Sequence, residues 1–283
     1  MTLQNDSSTR KQIIMNRQKI DKERLDINNS YAASYFRNNP NVDIDTHTPL
    51  EKIQVINMRL QDSSLDETTR FNCLVQKKSL VSLQYGENSE DYIASLIDIG
   101  SYYNQQSRSS SAQRHLQNAQ NLASSVKISP ELHFRLAIEY SESLLATPYS
   151  NKVEGIRIKS LALDSLKPFE SYQPTDPILN FKRELLMARA FAISESFDTT
   201  FQQYKKAKSF IKTTEYGGTV QEAKLYREIG DFCCSNKTNG DKYYNSAKKI
   251  YESLGMKEEI ESMERHKLQI SVFQSDVHVS ESQ

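Results

Sequence analysis

The chain has 283 residues, with 36 Lys and Arg against 36 Asp and Glu, 8 Gly and 7 Pro. Zero net charge excludes the broad basic field of a typical nucleic-acid binder, and so few Gly and Pro argue against a strand-rich fold with many tight turns. A hydrophobic content of 37% and a mean hydropathy of −0.66 imply a thin core, as in a stack of helix pairs rather than one thick globule.

Residues 1–45 read as an N-terminal helical extension. A weak apolar stripe (Ile13, Ile14, Ile20, Leu25, Ile27, then Tyr31, Tyr35 and Phe36) runs through a helix expected near 9–38. Its first ten residues are polar and lack an apolar signal core. From Thr48 the helix starts are plainly written. Thr48-Pro49-Leu50-Glu51 combines a capping Thr, a Pro at the first helical position and a Glu three residues after the cap. Ser64-Leu65-Asp66-Glu67 and Thr219-Val220-Gln221-Glu222 read as further capping boxes. Ser89-Glu90-Asp91 places a cap before two acids that suit the helix dipole. Ser129-Pro130 and Asp176-Pro177 repeat the cap-then-Pro signal. Tyr85-Gly86, Pro148, Gly217-Gly218 and Leu254-Gly255 are stops.

These signals predict helices near 49–61, 66–85, 90–106, 109–126, 130–147, 151–170, 177–194, 198–213, 220–235, 240–254 and 256–270. They group into pairs beginning near 49, 90, 130, 177 and 220, and regular pairs at a spacing of about 40 to 47 residues are the mark of an α-solenoid. The repeat array spans 46–270, and residues 271–283 are polar and read as a disordered tail.

Inside the pairs one spacing recurs. Leu96, Ile99, Gly100 and Tyr103 are followed by Ala112, Leu116 and Ala119. Steps of three and four put each set on one helix face, and the small residues mark the places where two helices come closest. Met187, Ala188, Phe191, Thr200, Tyr204 and Ala207 repeat the pattern, departing from it at Glu184 and Thr200. Tyr226, Ile229, Gly230, Cys233, Gly240, Tyr244 and Ala247 repeat it with an altered connection. The pair at 130–170 is degenerate and the pair at 49–85 fits by hydrophobic pattern only.

This spacing resembles the tetratricopeptide repeat. The stretch Tyr85-Gly86-Glu87-Asn88 leading to Leu96-Ile97-Asp98-Ile99 is similar to the kinesin light chain variety. More loosely, Pro49 to Ser125 resembles the ciliary tetratricopeptide repeat protein 23 group, through Pro49-Leu50-Glu51-Lys52, Ser79-Leu80-Val81 and Ala112-Gln113-Arg114-His115. The resemblance implies an all-α solenoid of about five helix pairs with a closing helix. The implied function is a non-catalytic protein-binding scaffold or adaptor, a subunit of an assembly such as a ciliary or flagellar complex. A cargo adaptor of kinesin light chain type is the alternative. An alternative of another class is a peptide-sensing regulator or an accessory domain of a hydrolase.

In such repeats the first helix of each pair lines the concave face. By repeat position that face holds Ile97, Ser101 and Asn104, then Lys182, Leu185 and Arg189, then Lys224, Arg227 and Asp231. Lys182, Arg189, Lys224 and Arg227 would form a basic stripe for an acidic helix or tail. The competing reading has them solvated or paired with Glu184, Glu222 and Glu228. Ile97 and Ser101 stand where some relatives hold a chaperone's terminal carboxylate with Lys and Asn, so no such clamp is expected.

The motifs of catalysis are missing from the sequence. Its five His never take a His-Glu-x-x-His spacing, and Cys233-Cys234 lacks the two-residue gap of zinc and redox sites. The glycines form no phosphate loop, and no Gly-x-Ser-x-Gly elbow occurs. No enzyme activity, cofactor or metal is expected. Three Cys, two of them adjacent, suit a reducing compartment, and no run approaches about 18 apolar residues. The expectation is therefore a cytoplasmic protein, with the cilium or flagellum as the setting the resemblance implies.

Overall fold

The computed structural model describes residues 48–193 and 196–280. Eleven α-helices and one 3₁₀ turn make up the described residues, with no strand among them. The helices are α1 (Pro49–Leu60), α2 (Glu67–Tyr85), α3 (Glu90–Gln105), α4 (Ser109–Ala123), α5 (Pro130–Leu145), α6 (Lys152–Leu166), α7 (Pro177–Ala192), α8 (Phe197–Ile211), α9 (Val220–Ser235), α10 (Asp241–Ser253) and α11 (Lys257–Ser280). The helix expected near 9–38 lies outside the described residues.

Local chemistry explains the boundaries. The Thr48 hydroxyl accepts from the Glu51 amide while Glu51 accepts from the Thr48 amide at 2.7 Å, so the first capping box forms as read. Ser89 and Asp176 cap α3 and α7. Two of the expected boxes close differently. Ser64 donates to Asp62, and Asp66 is the residue that caps α2, because its carboxylate accepts from the Thr69 amide at 2.9 Å. Glu222 reaches past Thr219 to the Gly218 amide at 2.7 Å. At the other end of α2, Gly86 has φ of 82°, a backbone that glycine adopts without a steric penalty. Helix α6 ends at Leu166, where Pro168 turns the chain into the 3₁₀ element Lys167–Phe169. Helix α11 runs to Ser280, past the expected end at 270 and into the stretch read as a disordered tail. No Gly or Pro follows Gly255 to interrupt it.

The chain divides into two compact units, with the boundary between Ser129 and Pro130. In the first, α1 pairs with α2, α3 with α4, and α2 packs on α3. The α3/α4 core is Ile93, Leu96, Ile97 and Ile99 against Ala112, Leu116 and Ala119, all buried. A Cβ at Gly100 would lie 2.5 Å from Leu116 Cγ, so only glycine permits this approach. In the second unit α5 pairs with α6, α7 with α8 and α9 with α10, while α7 also packs on α5 and α6, and α11 covers α9 and α10. Its largest core joins Ala188, Tyr204, Ala207, Tyr226, Ile229, Cys233, Tyr244, Ala247 and Tyr251. Most of the recurring positions read from the sequence are thus buried at pair crossings.

Candidate protein-binding surface

The nine residues expected on a recognition face fare unequally. Ile97 is 0% exposed. Helix α3 is covered by α2 on one side and α4 on another, so a residue one turn from the Gly100 crossing is enclosed and cannot meet a ligand. Ser101 and Asn104 are half-buried farther along the same helix. Leu185 is also half-buried and packs against the main core of the second unit. Lys224 alone of the nine is exposed.

The remaining cations do not form a free basic stripe. Lys182 Nζ lies 3.0 Å from Glu139 Oε1 and 3.2 Å from Glu142 Oε2, both on α5. Burial works against the Lys182 ammonium, but the two carboxylates outweigh it and hold its pKa above the usual lysine range. Arg189 on α7 forks onto Glu228 of α9, with Nε and Nη2 each 2.8 Å from a carboxylate oxygen. Tyr204 of α8 donates to the same carboxylate at 3.0 Å. Burial alone would raise the Glu228 pKa; the Arg189 guanidinium and the two hydrogen-bond donors bring it below the usual carboxylate value instead. The Tyr204 phenol, buried and facing an anion, is pushed well above its ordinary range. One turn along α9, Asp231 accepts from Tyr244 at 2.7 Å, with Arg227 Nε at 4.0 Å and His266 Nε2 at 3.6 Å. Burial raises the Asp231 pKa against these three partners.

Helices α5, α7 and α9 are thereby joined by a ladder of matched charges. Of the three acids expected to compete for the cations, Glu228 does so. Glu184 instead pairs with buried Arg183, whose guanidinium also donates to the Phe169 and Tyr172 carbonyls. Glu222 is engaged at the start of α9. Glu139 and Glu142 were not singled out in the sequence, although a signal existed. Lys182 lies 43 and 40 residues from them, and Arg189 lies 39 from Glu228. Each separation is about one repeat. Tyr172 to Glu131, at 41 residues, follows the same rule in the second unit, as does the Ser129 amide to Glu90, at 39, in the first.

Two titratable side chains elsewhere, His115 and Cys233, are taken up in packing. His115 stacks on Tyr103 at 5.6 Å, and burial lowers its pKa, helped by Lys78 and Arg114. Burial pushes the Cys233 thiol up, away from the reactive thiolate. Among the described residues no group of three His, Cys, Asp or Glu is placed to hold a metal ion, and no helix is long and apolar enough to cross a membrane. Comparison with family models, curated proteins and solved structures gives no match to the chain.

Proposed function

We propose that this chain is a non-catalytic protein-binding scaffold whose units are short runs of tetratricopeptide-like helix pairs. The observation that carries the reading is periodic. Small and apolar residues at one recurring spacing are buried where paired helices cross, and polar contacts join residues one repeat apart. A stack of this kind spends its sequence on neighbour contacts and leaves extended helix faces to recognise other proteins. Apolar residues are available for that purpose: Val153 of α6 is 78% exposed, and Ile156 and Leu161 of the same helix are also exposed. Anchors of this type, ringed by polar groups, supply most of the affinity at protein interfaces.

The working setting is a cytoplasmic assembly, with a ciliary or flagellar complex as its particular form. Purification of the tagged chain under native conditions, followed by mass spectrometry, tests both levels. Stoichiometric recovery of other proteins supports a scaffold, and axonemal subunits among them support the ciliary setting. Motor or coat proteins would point to a cargo adaptor instead. A chain that emerges alone and turns over a small molecule would overturn the scaffold reading.

A further inference from the structure

In the second unit, Lys182, Arg183, Arg189, Lys248 and Lys267 each meet a carboxylate. Several other lysines of that unit form no such pair, and four of them lie near one another. Lys205 and Lys208 of α8, and Lys212 at its C-cap, follow one another at steps of three and four, which puts them on one face. Lys242, in the first turn of α10, joins them. Lys208 Nζ and Lys242 Nζ lie 5.6 and 4.9 Å from the centroid of the same Tyr243 ring. Lys208 is also 5.6 Å from the Tyr226 ring, and Lys205 is 4.7 Å from Phe201, whose edge meets Tyr243 at 6.1 Å. None of the four forms an ion pair among the described residues.

The rings hold the lysine heads in place without neutralising them. Burial, then the fields of Lys212 and Lys242, lower the Lys208 pKa, and Glu222 is the one acid pulling the other way. Glu222 is buried and already accepts from the Gly218 amide and the Tyr226 hydroxyl. The cluster is therefore a positive surface without ion pairs, seated on aromatic rings of which Tyr226 and Tyr243 are buried, inside a chain of zero net charge.

We propose that the lysine face of α8 and the start of α10 is a docking site for a carboxylate-rich segment of a partner protein. This rests on the scaffold reading and specifies the partner's chemistry. A lipid surface fits less well, because neither α8 nor α10 carries any of the large apolar side chains that are exposed, so nothing is available to enter acyl chains. A single-stranded nucleic acid also fits less well, because the aromatic faces are covered by ammonium groups instead of standing open for base stacking.

The test uses the full chain and a fluorescein-labelled oligo-glutamate peptide, read by fluorescence polarisation at low salt. Binding should weaken about tenfold or more in Lys205→Gln/Lys208→Gln/Lys242→Gln, and should fall for both proteins as salt is added. The charge-matched variant Lys127→Gln/Lys152→Gln/Lys167→Gln, altered at exposed sites elsewhere, should bind as the parent does. If the first variant melts early, Lys205→Gln alone, at an exposed position, should give the same sign at smaller amplitude. Equal loss in the control variant overturns the site. So does capture of the parent by phosphatidylserine vesicles or oligo-thymidine with no binding to the peptide. If the cluster variant still co-purifies every partner of the parent, the docking site falls while the scaffold reading stands.

Discussion

Gly240 stands where two backbones touch. It precedes α10 with φ of −95°, a conformation open to any residue, so the effect of a side chain there is purely steric. A Cβ at this position would lie 2.6 Å from the Gly230 carbonyl oxygen and 3.1 Å from its Cα, in the middle of α9. Neither atom can rotate aside. Gly240→Ala must therefore part α9 from α10 and loosen Tyr244, Ala247 and Cys233, all buried at that crossing. Overpacking of this kind costs about 1–3 kcal/mol. Alanine gives no compensating helix propensity here, because at an N-cap it is worse than glycine by several tenths of a kcal/mol. A total of about 2 kcal/mol should lower the melting temperature by roughly 4–8 °C, followed by far-UV circular dichroism. Gly217→Ala is the matched control: its Cβ would meet nothing closer than 3.6 Å, and its φ is not positive, so a change within about 0.5 kcal/mol is expected. If Gly240→Ala melts with the parent, or the two variants melt alike, the close crossing of α9 and α10 is wrong.

Two further predictions concern the buried polar groups. Glu228→Gln keeps the shape but removes the charge that Arg189 and Tyr204 face, and should cost about 1–3 kcal/mol in urea unfolding at neutral pH. The Glu228 pKa is depressed in the folded chain, so its contribution is present above 4.5 and is lost as pH falls through the folded value; the variant's gap from the parent should close in acid. Tyr226 gives the opposite limb. Burial, and then its hydrogen bond to Glu222, push its pKa from 10 up to about 12. The unfolded phenol ionises first, so stability is intact below pH 10 and declines as pH rises toward 12, by an amount on the order of 2 kcal/mol. Tyr226→Phe should flatten that decline in pH-dependent urea titrations, and an unchanged alkaline slope would refute the assignment.

The fold was legible where physics is local. Thr48, Ser89 and Asp176 cap the helices their sequence context announces, because a cap needs only its own first turn. Ala112, Leu116 and Ala119, or Tyr244 and Ala247, are buried where their spacing places them, because period identifies an apolar face. Competition between neighbouring caps was harder to read. Asp66 outranks Ser64, and Glu222 selects Gly218 over Thr219, since two or three polar side chains reach the same orphan amides. Ile97, expected on the concave face, is buried for a related reason. Repeat position alone does not show how far adjoining helices wrap around a helix, and Ile97 is fully enclosed. The glutamates opposite Lys182 required the rotation between successive pairs, although opposite charges about one repeat apart were there to be noticed.

The matched ladder bears on where recognition can occur. Apolar stripes fix which faces meet, but they tolerate sliding along a helix. The Arg189 fork onto Glu228 does not: a slip of one turn, about 5.4 Å, breaks both bonds and leaves two charges half-buried. Charge along α5, α7 and α9 thus sets register, and in doing so it consumes its own binding capacity, since Lys182 and Arg189 already have carboxylates at hydrogen-bond distance. A partner's acid arriving there would have to displace Glu139 or Glu228, leaving a mostly buried carboxylate unpaired. Within one unit, then, Lys182 and Arg189 are spent on register, while Lys205, Lys208 and Lys242 rest on aromatic rings and form no ion pair among the described residues.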